Sequence, residues 1–251
     1  MSPIRQHAGR RRWLTAAAAI LVVLSTASTT LAAGKPGYPD KVAWAGESWA
    51  VKTSRTPVGP GPNIFSKANV SVDGAGRLHL RIARDAAGVW STAEIIGPRT
   101  YGFGTYSFTI ESDVSDLDPN VVLGLFTWSD RARFAHREID IEFARWGNAA
   151  DTTNAQYVVQ PWDATDHLSR FTQPATVTTT HRFTWQAGRI DWASQDADGN
   201  IISSYSYAGP DVPPTGDERV RLNLWLFNGS APTDGQPVEV IISSFAFTPL
   251  P

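Results

Sequence analysis

Apolar and polar residues alternate with a period of two along much of the chain, the pattern of strands that bury one face. Thr105-Tyr106-Ser107-Phe108-Thr109-Ile110 and Glu138-Ile139-Asp140-Ile141-Glu142-Phe143 alternate strictly, and residues 121–128 form a continuous apolar and aromatic run. Residues 70–72 and 77–82 flank the turn Asp73-Gly74-Ala75-Gly76, while 189–192 and 201–207 flank Asp198-Gly199-Asn200, both hairpin signals. Further strands are expected at 156–160, 181–185, 220–227 and 238–247. Segment 35–62, rich in Gly, Pro and Trp, reads as an extended lead-in, and 163–180 as a long loop or short helix. No window carries a convincing apolar period of 3.6. Short strands punctuated by turn residues predict an all-β domain, a β-sandwich or jelly roll.

The first 33 residues break this pattern. Arg5 and Arg10-Arg11-Arg12 form a basic head, 13–24 is apolar, and Thr30-Leu31-Ala32-Ala33-Gly34 is a small-residue tail. The apolar run is shorter than the roughly 20 residues that span a bilayer, so a cleaved signal peptide over 1–33 is expected rather than an anchor. Arg10-Arg11-Arg12-Trp13-Leu14 also fits a twin-arginine leader, although a Sec leader is preferred. Residues 34–251 then make one domain, secreted, with no membrane anchor in the mature form and expected as a monomer.

The chain has no cysteine, so neither a disulfide nor a lipidated thiol is available. A domain of this size buries roughly 70% of its unfolded surface and needs no staple. A net charge of −2 lacks the basic footprint of a nucleic-acid or anionic-membrane partner. Ten tryptophans stand in a chain only 18% charged. Flat amphipathic rings serve a core and also stack on the apolar faces of sugars.

The candidate chemistry lies on 138–143. Alternation puts Glu138, Asp140 and Glu142 on one face and Ile139, Ile141 and Phe143 on the other. The two Glu backbones are about 13 Å apart at about 3.3 Å per residue, and each side chain can lean some 4 Å toward the other. The remaining gap of several Å suits a retaining glycosidase, whose carboxyls stand about 5–5.5 Å apart, better than an inverting one at about 6.5–9.5 Å. Asp140, on its shorter stem, is placed to hydrogen-bond a neighbouring carboxyl. Crowded acids raise at least one pKa, as an acid catalyst requires. Spacing does not assign the roles. Two other readings of the pattern are a solvent-facing acidic strand and a calcium site. Uncompensated like charges weigh against the first, and a rigid strand wraps a cation poorly, against the second.

The chain resembles glycoside hydrolase family 16, and within it the bacterial lichenases, over most of residues 34–251. Tyr101-Gly102-Phe103-Gly104-Thr105-Tyr106, Gly124-Leu125-Phe126-Thr127-Trp128, Glu138 to Phe143, His181-Arg182-Phe183-Thr184-Trp185 and Asn223-Leu224-Trp225 match its motifs in order. The resemblance implies a concanavalin A-like jelly roll of two antiparallel sheets with a concave substrate cleft. It implies Glu138 as nucleophile, Asp140 as helper and Glu142 as acid and base. It also implies Glu94, Phe126, Trp128, His136, Asn223 and Trp225 as substrate-binding residues. No catalytic metal or cofactor is implied; a structural calcium is allowed at no named residues. For His181, core packing is the expected role.

Three departures bear on the substrate. Ile96 stands where a lichenase has Arg, His136 where it has Trp, and Tyr157-Val158-Val159-Gln160 lacks its Asn and Tyr. Trp146 and Trp162 are candidates for different stacking. The expected activity is endo-hydrolysis of a β-1,3- or β-1,3-1,4-glucan. A transglycosylase would use the same acids, and a jelly-roll lectin would keep the aromatics without needing the acid row.

Overall fold

The computed structural model describes residues 37–250; the expected signal peptide at 1–33 lies outside the described residues. Sixteen strands follow in chain order. The first eight are β1 (Gly37–Trp44), β2 (Glu47–Thr53), β3 (Val70–Val72), β4 (Leu78–Arg84), β5 (Trp90–Ser91), β6 (Ala93–Ile96), β7 (Gly104–Glu111) and β8 (Val121–Trp128). The rest are β9 (Ile139–Phe143), β10 (Ala155–Val159), β11 (Leu168–Phe171), β12 (Thr178–Gln186), β13 (Arg189–Asp196), β14 (Ile201–Ala208), β15 (Arg219–Leu226) and β16 (Val238–Pro249). One sheet has the order β1-β2-β6-β15-β8-β9-β10-β11, the other β14-β13-β12-β7-β16-β4-β3, with β5 paired to β4. Their ladders are antiparallel, which makes the expected sandwich.

Period-two patterning accounts for how the sheets meet. Buried and half-buried positions alternate strictly along β7 and β12. Their inward side chains Tyr106, Phe108, Phe183 and Trp185 join Leu80, Ile82 and Trp192 of the same sheet. Facing them are Trp49, Ile95, Leu123, Leu125, Ile139, Ile141, Phe143 and Leu222 of the other. Tyr106 and Phe183, opposite each other in register, stack at 4.7 Å between centroids. Such cross-strand pairs contribute roughly 0.2–1 kcal/mol each beyond burial. His181 is packed in this interior as expected, its ring nitrogens each 2.7 Å from the hydroxyls of Ser194 and Thr179. Burial holds its pKa down at about 3, so the ring is neutral.

Two expectations are corrected. Segment 35–62 is not merely a lead-in, since β1 and β2 form a hairpin there around Ala45-Gly46 and dock on β6. Its Trp44, Trp49 and Val51 are core residues that the surrounding Gly and Pro obscured. Segment 163–180 contains the short edge strand β11 and the start of β12 instead of a helix. Of β11 only Phe171 is buried, so its apolar signal is too small to read.

Candidate active site

β9 lies in the interior of its sheet between β8 and β10, with Asp140 opposite Phe126 and Val158, and Glu142 opposite Gly124 and Gln156. Ile139, Ile141 and Phe143 are wholly buried in the core, which forces Asp140 and Glu142 onto the outer face. From beneath, Trp192 Nε1 of the opposite sheet donates to the Asp140 carbonyl at 3.1 Å. Glu138 immediately precedes the strand in extended conformation. It leaves a turn in which Phe134, Ala135, His136 and Arg137 all have φ between +45° and +59°. Each such L-residue costs roughly 1–2 kcal/mol, so the turn persists only where contacts over-determine it. Ser129 N donates to the His136 carbonyl at 2.7 Å, Thr127 Oγ1 to that of Arg137 at 2.8 Å, and Arg137 pairs with Asp217. The turn stacks His136 on Trp128, 4.0 Å between centroids and 10° from parallel.

The outer face forms a trough crossing the strands. A cavity of about 340 Å³ brings Glu138, Asp140 and Glu142 together with Glu94, Phe126, Trp128, Asn223 and Trp225. His136 reaches this wall through its stack on Trp128. Gly124 lies on the floor opposite Asn223, where a Cβ would come 2.5 Å from Asn223 Oδ1. That oxygen is buried without a partner among the described residues, an acceptor open to a sugar hydroxyl. Trp225 packs not in the main core but with Val122, Ala144, Trp146 and Phe227 on the trough side.

Glu94 differs from a free sugar ligand. It is buried, accepting from Lys52 Nζ at 2.7 Å and from Arg221 Nη1 at 3.1 Å. Arg221 also binds Asp130 at 2.7 Å, and Lys52 the Gly59 carbonyl at 2.8 Å. Arg221 stands opposite Ile96 in register, so β15 supplies a guanidinium beside the position that is Arg in a lichenase and Ile96 here. Sequence reasoning does not single out Lys52 or Arg221, because their link to Glu94 is made across strands.

It also misses Gln156 and Gln160. Gln156 Oε1 accepts from Arg170 Nη1 at 2.9 Å and lies 3.2 Å from Trp146 Nε1, which turns its amide nitrogen to Glu142 Oε2 at 2.7 Å. Gln160 accepts from the Trp162 amide at 2.9 Å and donates to Asp140 at 3.3 Å. No neighbouring carboxyl takes that bond. The signal was period two itself, since positions 156 and 160 share a face that the pairing with β9 turns toward the acids.

Burial pushes Glu138 up to about 8, with the Glu142 charge adding and Arg221 opposing. Glu142 rises to about 7, again by burial, with the Gln156 bond and then Arg170 opposing. Asp140 is raised by burial and then by the charges of Glu138 and Glu142. The three share their protons as one system. The row holds protons near neutrality, as proton transfer to a leaving oxygen demands. Among the described residues, no group of three or more His, Cys, Asp or Glu is placed to hold a metal ion.

Neither a family model nor a curated protein matches the sequence. Solved structures do match the fold. A β-glucanase of Bacillus licheniformis superposes with a TM-score of 0.61 at 22% identity, over 80% of this chain and 91% of that one. A non-specific endo-β-1,3(4)-glucanase of family 16 gives 0.58 at 14% identity, over 84% and 86%. A protein of Mycobacterium tuberculosis described as an immunostimulatory antigen and pseudo β-1,3-glucanase gives 0.58 at 22%, over 78% and 88%. The chain has the two-sheet fold of the family 16 glycoside hydrolases, and the resemblance carried by its motifs holds at the level of the fold.

Proposed function

We propose that this chain is a secreted, retaining endo-β-glycanase acting on β-1,3- or mixed-linkage β-glucan. The observation that carries the reading is the row of three carboxyls presented by β9 and the extended residue before it, in a trough walled by Phe126, Trp128 and Trp225. In this scheme the Glu138 carboxylate attacks the anomeric carbon while Glu142 gives its proton to the departing glycosidic oxygen. An ester then links Glu138 to the sugar. Glu142, now ionised, takes a proton from water as the water oxygen attacks the same carbon and the ester breaks. Two inversions give net retention. Asp140, held by Gln160, sits between the two as a third acid whose proton is retained by burial and by the charges of Glu138 and Glu142.

The fold does not by itself separate cutting from binding, given a neighbour described as a pseudo β-1,3-glucanase. The acid row supports cutting, since sugar binding alone would not require three crowded carboxyls. Incubation with a panel of β-glucans, followed by mass analysis and NMR of the newborn anomer, tests the reading. Short oligosaccharides born in the β-configuration are expected. Products born as the α-anomer would exclude retention, and tight binding without products would leave a lectin.

Gln156 is a positioning residue in this scheme. Its donated bond stabilises ionised Glu142, so removing it raises the pKa of that acid. For Gln156→Ala the alkaline limb of the kcat/KM profile is expected to move up by about one pH unit. That corresponds to ~1.4 kcal/mol, near the low end for a hydrogen bond to a charge. A limb that stays in place would leave Gln156 no role at Glu142.

A further inference from the structure

The turn that delivers Glu138 is gripped by a second loop. Residues 129–138 connect β8 to β9, and residues 209–218 connect β14 to β15. Arg137 joins the two, with its side chain only 10% exposed. Its Nε donates to the Pro214 carbonyl at 3.0 Å and its Nη1 to Asp217 Oδ1 at 3.1 Å, while the Phe134 ring lies 5.0 Å from the guanidinium. Gly216 closes on the same group, for a Cβ there would come 2.5 Å from Arg137 Cζ and Nε. Buried Glu218 shapes that approach by accepting from the Gly216 amide at 2.7 Å, and its other carboxyl oxygen has no partner among the described residues. Asp217 ties in the start of the turn, accepting from Ser129 Oγ at 2.7 Å and pairing with Arg131 at 2.9 Å. None of Arg137, Pro214, Gly216, Asp217 and Glu218 lines the cavity that holds the acids.

The three acids therefore rest on two different supports. Asp140 and Glu142 are fixed by the ladder, each with a partner in register on β8 and on β10. Glu138 stands before the strand, outside that register. Its main chain is held by two longer bonds, from its own amide to the Ala135 carbonyl at 3.3 Å and from the Gln160 amide to its carbonyl at 3.2 Å. Immediately before it comes Arg137, whose φ of +53° is strained for an L-residue and whose carbonyl is fixed by Thr127 Oγ1 at 2.8 Å. The influences on the Glu138 carboxyl are burial and the charges of Glu142, Arg221 and Glu94, so Arg137 reaches it through the backbone. A misplacement of about 1 Å in a reacting group can cost about 10²-fold in rate, which gives the grip on Arg137 catalytic weight.

We propose that Arg137, gripped by residues 213–218, is a positioning residue that places the Glu138 carboxylate for attack and leaves Asp140 and Glu142 to the ladder. The inference rests on the proposed function in one respect, that Glu138 is the nucleophile. Nucleophile and acid are thus mounted separately, and a change in a loop outside the cavity moves one without the other.

Gly216→Ala tests this from outside the cavity with every charge kept, and Arg137→Met is its companion. The probe is a 2-deoxy-2-fluoro-β-oligoglucosyl fluoride. Glu138 bonds to its anomeric carbon as the carbon–fluorine bond there breaks, and fluoride leaves with the electron pair, needing no proton from Glu142. Mass spectrometry of the peptide carrying Glu138 follows the ester. Its rate of formation should fall about 100-fold in Arg137→Met and about tenfold in Gly216→Ala, with the Ki of the probe within about twofold of wild type. Gly216→Ala added to Arg137→Met should cost nothing further, because the guanidinium it displaces is already gone. A second readout needs no turnover. In carboxyl carbon NMR, the midpoint followed at Glu138 should fall by about one pH unit or more in Gly216→Ala, as a carboxyl raised mainly by burial loses it. Normal labelling with a lowered thermal midpoint would make Arg137 merely structural and overturn the proposal. So would losses that add in the double variant, or a Glu138 midpoint that stays in place. A wild-type protein that forms no ester at Glu138 defeats the nucleophile reading, and the carbon midpoints then decide the grip on their own.

Discussion

Glu138→Gln and Glu142→Gln are each expected to lower kcat/KM on a β-glucan by about 10³-fold or more while leaving the fold intact. The amide keeps the shape and removes the charge or the proton that double displacement needs. Folding should survive because burial already raises both acids, so a neutral amide relieves a desolvation cost. Far-ultraviolet dichroism and the thermal midpoint check that point. The two roles are separated by azide with an activated donor such as a glycosyl fluoride. In Glu138→Ala, azide replaces the missing nucleophile and gives an inverted glycosyl azide. In Glu142→Ala it attacks the glycosyl-enzyme and gives a retained one. These products assign roles independently of where the row keeps its protons at rest, which matters because Glu138 is raised at least as far as Glu142. Full activity in either Gln variant would remove that residue from the chemistry.

Much of the sandwich is legible because alternating burial leaves alternating residues. Thr105 to Ile110 and His181 to Trp185 both announce a buried face, and β7 and β12 extend those spans by only a few residues at each end. Where alternation is short or interrupted, it fails. β11 buries a single side chain, and the β1–β2 hairpin turns at Ala45-Gly46, without the Asn-Gly or Asp-Gly that usually marks a tight turn. Nor could a tally of tryptophans distinguish Trp49 and Trp192, which fill the core, from Trp128, Trp146, Trp162 and Trp225, which line the trough. Trp128 and Trp225 follow the same period as the core pair, so only the pairing of strands says which face is which, and Trp146 and Trp162 lie in connections that carry no period at all.

The acids were legible for the same reason. Glu138, Asp140 and Glu142 lie on β9 and the extended residue just before it, where spacing along the chain is spacing in space. Their partners lie on other strands. Gln156 meets Glu142 across β10, Trp192 reaches the Asp140 carbonyl from the opposite sheet, and Arg221 meets Glu94 over 127 residues of chain. The departure at Ile96 shows what this hides. One strand lacks the arginine, but its neighbour in register brings one to the same glutamate, a substitution visible only once Arg221 and Ile96 are paired.

Glu94→Gln is expected to destabilise the domain by about 3–5 kcal/mol, the range for removing one partner of a buried ion pair. Among the described residues the carboxylate is the only acid paired with Lys52, and it holds Arg221 as well; both cation side chains are at most 7% exposed. The amide would leave Lys52 beside a carbonyl oxygen and Arg221 with the exposed Asp130 alone. At roughly 2–4 °C per kcal/mol for a domain of this size, the thermal midpoint should fall by at least about 6 °C. Adding Lys52→Met removes the cation left unpaired, so the double variant should recover part of that loss, a coupling that a double-mutant cycle measures directly. The same change should lower the Glu138 pKa, because the Glu94 charge is among the influences that raise it. If Glu94 served only as a sugar ligand, the variant would raise KM at an unchanged midpoint. A fall in midpoint reversed by Lys52→Met would instead mark it as the anion that lets two cations lie under the cleft, with sugar contact made through the groups they hold in place.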